Sequence, residues 1–219
     1  MDQRKLIETM ELAERLKNNT RHSWTSTGRH ESVAEHSWRL CLFAYFMKDE
    51  FPEADMDKVI RMCMVHDMGE AFTGDIPSFH KTKEDEEKEC RIVYEWVDSL
   101  PAPFNQELRE LFEEMDALES LEARIYKALD KMEVLLQHNQ ADLSTWLPLE
   151  YELNLTYGTE QAAFHDYMKS LRAMIYEDSV KKLENDKVKS ENDKAKSEND
   201  KAKTEVDKAK AEVDKTKAE

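Results

Sequence analysis

The sequence has few of the residues that make turns. Its 219 residues include only four glycines and five prolines. Sheets and barrels need tight turns at short intervals, and those turns draw on Gly, Pro and Asn. An all-β architecture is therefore excluded. Cysteine is also scarce: Cys41, Cys63 and Cys90 are odd in number and far apart. That excludes a disulfide framework and a CxxC pair, and it predicts buried free thiols in a reducing compartment. No run of about 20 apolar residues occurs, so no membrane-spanning helix and no membrane partner are expected. The opening residues, MDQRKLIETMELAERLK, lack the apolar core of a signal peptide, and a cytoplasmic location is the expectation. Basic residues are in the minority, and the formal charge is −16. Duplex nucleic acid binds basic stripes that release counterions, so it is not an expected partner. A small phosphate compound is compatible if a cation and one or two arginines reverse the potential locally. A Gly-rich phosphate loop and a serine nucleophile elbow are both missing, which leaves any chemistry to a metal.

What is present is helical periodicity. Leu6, Ile7, Met10, Ala13 and Leu16 form one stripe. Ser32-Val-Ala-Glu35 is a capping-box pattern opening a helix to about Asp49. Further helices are predicted over 56–67 (Val59, Ile60, Cys63 and Met64 inward), 82–99, 104–115 and 159–180. Another starts at a second box-like pattern, Asp116 to Glu119, and runs to about Ala141. Gly69 suits the end of the 56–67 helix. No stretch alternates with period two for long enough to argue for a strand. The fold class is all-α, a single bundle of about seven helices over 1–180. Residues 181–219 are a charged tail, repeating from Glu184 as ENDKVKS, ENDKAKS, ENDKAKT, EVDKAKA and EVDKTKA. The period is seven, but no Leu or Ile seam accompanies it, so a coiled coil is not predicted. A solvated extension, helical or disordered, is.

Four residues carry the chemical signal: His36, the adjacent pair His66-Asp67, and Asp130. Each sits on a helix expected to face the core. Burying two imidazoles and two carboxylates is costly unless something pairs them, and a divalent cation would do so. Two nitrogens and two carboxylates suit Mn, Co, Fe, Ni or Zn; Mg, which prefers oxygen shells, is a weaker fit. Taken singly, each residue also reads as a packed histidine or a surface acid; their conjunction singles them out.

The runs Ser32-Val-Ala-Glu-His36-Ser, Val65-His-Asp-Met-Gly-Glu-Ala-Phe-Thr-Gly-Asp-Ile-Pro77 and Lys127-Ala-Leu-Asp130-Lys resemble the His…His-Asp…Asp pattern of HD-domain phosphohydrolases. The second run is similar to the branch that contains 5′-deoxynucleotidases. The resemblance spans about residues 5–178 and none of the tail. It implies one divalent metal ion held by His36, His66, Asp67 and Asp130. It also implies catalytic roles for Glu70, which would handle protons, and for Asp75, which would accept a hydrogen bond from the sugar 3′-hydroxyl. Arg21-His-Ser-Trp24 resembles the family segment in which an arginine holds the phosphate and a tryptophan walls the sugar. Lys127 and Arg29 are secondary candidates. The implied reaction is hydrolysis of the 5′-phosphate of a deoxynucleoside monophosphate, by a chain that pairs as a homodimer. Hydrolysis of another small nucleotide phosphate, a non-catalytic metal-containing binding module and a metal-free helical scaffold are the alternatives. His22, His30, His80, His138 and His165 have no partner at metal-ligand spacing and read as structural or exposed.

Overall fold

The helices that carry the candidate site begin at side-chain caps. The helix α2 (Val33–Phe46) opens on the predicted capping box: Glu35 N–H donates to Ser32 Oγ, and the Glu35 carboxylate accepts from Ser32 N–H. The next, α3 (Met56–Val65), starts on Asp55, whose carboxylate accepts from Lys58 N–H. The long α7 (Leu121–Gln140) starts on Ser120 rather than on the box-like pattern at Asp116. The Asp116 carboxylate is engaged by the Tyr94 hydroxyl, and Leu118 turns left-handed (φ 52°) to end α6 (Phe104–Ala117).

The computed structural model describes residues 1–216, and the all-helical expectation holds. Helices α2, α3 and α7 pack on one another, and Leu40, Ala44, Val59, Met62, Cys63, Ile125, Leu129 and Met132 fill the space between them. Around this centre lie α1 (Gln3–Asn18), the short α4 (Glu70–Thr73), α5 (Lys83–Asp98), α8 (Glu150–Thr156) and α9 (Thr159–Ala162). The last helix, α10 (Asp166–Thr216), packs its first turns on α7 and α8. Ten α-helices are thus described, against about seven expected. The excess comes from the short α4 and α8 and from a break that splits the predicted 159–180 helix.

Several expectations are corrected. A two-stranded antiparallel hairpin, β1 (Thr20–Trp24) and β2 (His30–Ser32), precedes α2. Its strands are too short for alternation to register. The α1 stripe is buried only from Leu12 onward; Leu6, Ile7 and Met10 are exposed. Met64 is exposed, and of the three free thiols only Cys63 is fully buried. The contacts of α10 extend slightly past the expected boundary, since Lys182 Nζ donates to the carbonyls of Asn139 and Ala141. Residues 184–197 of the repeat are helical and exposed throughout. Among the described residues no helix is long and apolar enough to cross a membrane.

Candidate metal centre

The core helices bring all four predicted ligands together. His36 is in the first turn of α2, His66 and Asp67 follow α3, and Asp130 is midway along α7. The Nε2 atoms of His36 and His66 are 3.3 Å apart. Asp67 Oδ2 lies 3.0 Å from His66 Nε2 and 3.9 Å from His36 Nε2; Asp130 Oδ1 lies 3.4 Å from His36 Nε2 and 3.8 Å from His66 Nε2. Donors bound at about 2.0–2.2 Å to one cation sit about 3.0–3.5 Å from each other, so these residues fit a divalent ion.

The outer ring nitrogens are already committed. His66 Nδ1–H donates to the Cys63 carbonyl at 2.9 Å, and His36 Nδ1–H donates to Glu133 Oε2 at 2.5 Å. Both Nε2 atoms are thereby turned inward, as in metal sites whose histidines are oriented from behind. Electrostatics agree. Burial and Arg21 work to keep His36 neutral, yet Glu133 and Asp130 overcome them and push it up to about 9. Burial likewise opposes ionisation of Asp67, but His66, His36 and Arg21 hold it well below the usual carboxylate range. Asp130 is held low against burial chiefly by Lys127. A cluster that recruits a proton to hold its donors together offers a cation the same place, with release of that proton.

Asp67 and Asp130 open onto a cavity of ≈ 210 Å³ that Arg21, Glu70, Asp75 and Lys127 also line. Arg21 is 3.5 Å from Asp67 and 3.6 Å from Glu31, and its buried Nε has no hydrogen-bond partner. Glu70 is buried with Oε2 unpartnered; burial first, then Asp67 and Asp75, push its carboxyl up to about 10. Burial also raises Asp75, against the pull of Arg21. Lys127 Nζ is 3.2 Å from Asp130 Oδ2. Gly69 does not end a helix left-handed as expected; its φ is −59°. Its role is close approach: a Cβ there would lie 2.6 Å from Glu89 Cγ and 2.9 Å from Val93 Cγ2 of α5.

Two expected residues lie elsewhere. Trp24 stacks on His30, with centroids 4.0 Å apart, at the far end of the hairpin, and it does not line the cavity. The cause is its pairing: Trp24 faces His30 across β1 and β2. Arg29 pairs with Glu35 on the surface.

Sequence reasoning missed Glu133, fully buried behind His36 and also receiving Arg39 Nε at 2.5 Å. Its position three residues after Asp130, on the same face of α7, was the available signal. It also missed that His22 and His138, read as lone histidines, gather with Glu150, their ligand atoms within 4.8 Å of one another. Their separation in the chain hid this.

The sequence profile of the HD domain matches residues 13–172. This chain belongs to the HD-domain family. It is an enzyme of the phosphohydrolase class of that family. Among curated relatives, the human protein named 5′-deoxynucleotidase HDDC2 is 33% identical over 141 residues, covering 63% of this chain and 68% of that one. The Xenopus laevis protein of the same name is 31% identical over 186 residues, covering 79% and 87%. Among solved structures, a predicted metal-dependent phosphohydrolase from Magnetospirillum magnetotacticum superposes with a TM-score of 0.67 at 24% identity, covering 81% and 93%. A conserved hypothetical protein from Pyrococcus furiosus gives 0.62 at 29%, covering 78% and 98%.

Proposed function

We propose that this HD-domain protein hydrolyses the 5′-phosphate of deoxynucleoside monophosphates to the deoxynucleoside and phosphate. The observation that carries the reading is the convergence of His36, His66, Asp67 and Asp130 beside a cavity that Arg21, Glu70, Asp75 and Lys127 line. The names of the curated relatives support the substrate class.

A divalent cation held by those four residues, with Mn, Co, Fe, Ni or Zn favoured over Mg, would supply Lewis acidity at a phosphate oxygen and acidify a water. The chain's own residues do the rest. Arg21, whose Nη1 lies 3.5 Å from Asp67 Oδ2 at the cavity, offers its guanidinium to a phosphate oxygen, a charge-assisted bond that strengthens as charge develops in the transition state. Lys127 adds a second positive group. Glu70, with a free carboxylate oxygen, moves a proton between the attacking water and the leaving 5′-oxygen. Asp75 accepts from the 3′-hydroxyl.

Phosphate release from dAMP, AMP and dATP side by side tests this. A preference for dAMP is expected. Preference for dATP would favour a second reading, hydrolysis of another small nucleotide phosphate. That reading draws on one observation: Lys81 and Lys131 join Arg21 and Lys127 around the cavity. Retention of a cation without turnover on any phosphate would instead favour a binding module.

We further propose a homodimer in the cytoplasm. Trp38, Leu42, Tyr45 and Phe46 are exposed at helical spacing on one face of α2, which supports self-association. Light scattering at micromolar concentration checks it, with twice the chain mass expected.

A further inference from the structure

The cavity has a second polar wall that the proposed hydrolysis does not use. Glu150 is almost fully buried; its Oε1 accepts from His22 Nε2 at 2.8 Å and its Oε2 from Leu147 N–H at 2.7 Å. His138, also buried, donates from Nδ1 to Asn154 Oδ1 at 3.0 Å, and its Nε2 accepts from Ser23 Oγ at 3.2 Å. His22, His138, Glu150 and Asn154 all line the cavity.

Asn154 is where this network is incomplete. It is 2% exposed; its carbonyl accepts from the Arg172 guanidinium and its Oδ1 is taken by His138, but its Nδ2 has no partner. A buried amide donor left unpaired is unfavourable, and native structures rarely keep one without a reason. Asn154 turns its Oδ1 to His138 Nδ1, so the group it offers to a ligand is the Nδ2 donor, and the ligand must present an acceptor. An anion is disfavoured, because the Glu150 carboxylate stands in the same wall. The cavity lining also carries apolar side chains: Phe79, edge-on to His22 at 5.3 Å, with Pro77, Val134 and Leu153. A ring with an apolar face and ring-nitrogen or carbonyl acceptors at its edge fits such a wall. The cavity, at ≈ 210 Å³, is far larger than the about 10–15 Å³ that one water needs.

We infer that Asn154, oriented by His138 and flanked by Phe79, forms a subsite for the nucleobase of the substrate. This rests on the nucleotide reading of the site, and binding measured without turnover separates the two. The full chain is titrated calorimetrically with deoxyadenosine, which has no phosphate, and with 2-deoxyribose 5-phosphate, which has no base. Asn154→Leu and Asn154→Asp both remove the donor, and the aspartate keeps an acceptor for His138 if the leucine variant fails to fold. The expected result is at least a tenfold rise in Kd for deoxyadenosine, with the Kd for 2-deoxyribose 5-phosphate changed less than twofold. Phe79→Ala should weaken deoxyadenosine in the same selective way. Unchanged deoxyadenosine affinity in folded variants, equal loss of both ligands, or no deoxyadenosine binding by the wild type would each overturn the subsite. If deoxyadenosine binds through Asn154 while dAMP releases no phosphate, the subsite stands and the hydrolytic reading falls.

Discussion

His36 and Glu133 form a fully buried polar contact behind the candidate metal centre, Nδ1 to Oε2 at 2.5 Å, with neither side chain exposed to solvent. The carboxylate sets which nitrogen of His36 faces Asp67 and Asp130. Glu133→Gln should therefore lower divalent-cation affinity about 10–100-fold, the usual cost of losing such an orienting partner. Competition titration against a chelating dye, with circular dichroism to verify the fold, measures it. Unchanged affinity would mean that Glu133 serves only Arg39.

Glu70 is the buried acid beside the candidate ligands, and its Oε2 has no hydrogen-bond partner. Glu70→Gln should cut kcat by about 10²–10⁴-fold, the range for a lost general acid or base. Cation content and thermal midpoint should stay near wild type. A variant with full turnover would assign proton transfer elsewhere.

Two groups give the stability a defined pH dependence. Burial, opposed by Glu150, keeps the His138 pKa below its ordinary 6.5. The unfolded chain then binds more protons, so this contribution is complete above about pH 6.5 and is lost as pH falls below it. Arg29, followed by the Ser32 backbone, lowers Glu35 to about 2, so its contribution is present above its ordinary 4.5 and lost as pH falls towards 2. Urea midpoints of wild type and His138→Gln should therefore converge as pH drops from 7 to 5. A constant gap between them would contradict the neutral buried histidine.

Gly69 allows α5 to lie against the turn that links the His66-Asp67 pair to Glu70. Gly69→Ala would overlap Glu89 and Val93 and should cost about 1–3 kcal/mol in urea unfolding. A neutral effect would show that the Glu89 side chain simply swings away.

We propose that the folded unit ends near Lys182 and that the repeat is a separate tail. Truncation after Leu183 keeps the Lys182 bonds to α7 and removes residues whose described side chains are exposed. The thermal midpoint should change by less than about 2 °C, the low end of the about 2–4 °C that 1 kcal/mol moves a chain of this size. A larger fall would tie the repeat to the bundle.

The fold class was legible because it rests on local signals: the Ser32 capping box, the apolar spacing in α3 and α7, and the scarcity of turn residues. The clustering of His36, His66, Asp67 and Asp130 was legible because His66-Asp67 is contiguous and the runs around His36 and Asp130 are distinctive. The hairpin was not, since five- and three-residue strands carry no measurable period. Its pairing, Trp24 against His30, is what takes the indole away from the cavity. The His22–Glu150–His138 network was equally hidden, because its members come from β1, α8 and α7 and meet only through tertiary packing.

The most direct test strips the protein with a chelator, resupplies Mn²⁺ or Co²⁺, and follows phosphate release from dAMP in wild type and His66→Ala. The predicted result is activity that vanishes on stripping, returns with the cation in wild type, and never returns in the variant. Chelator-resistant hydrolysis, or equal activity in His66→Ala, would contradict a cation-dependent centre at His36, His66, Asp67 and Asp130.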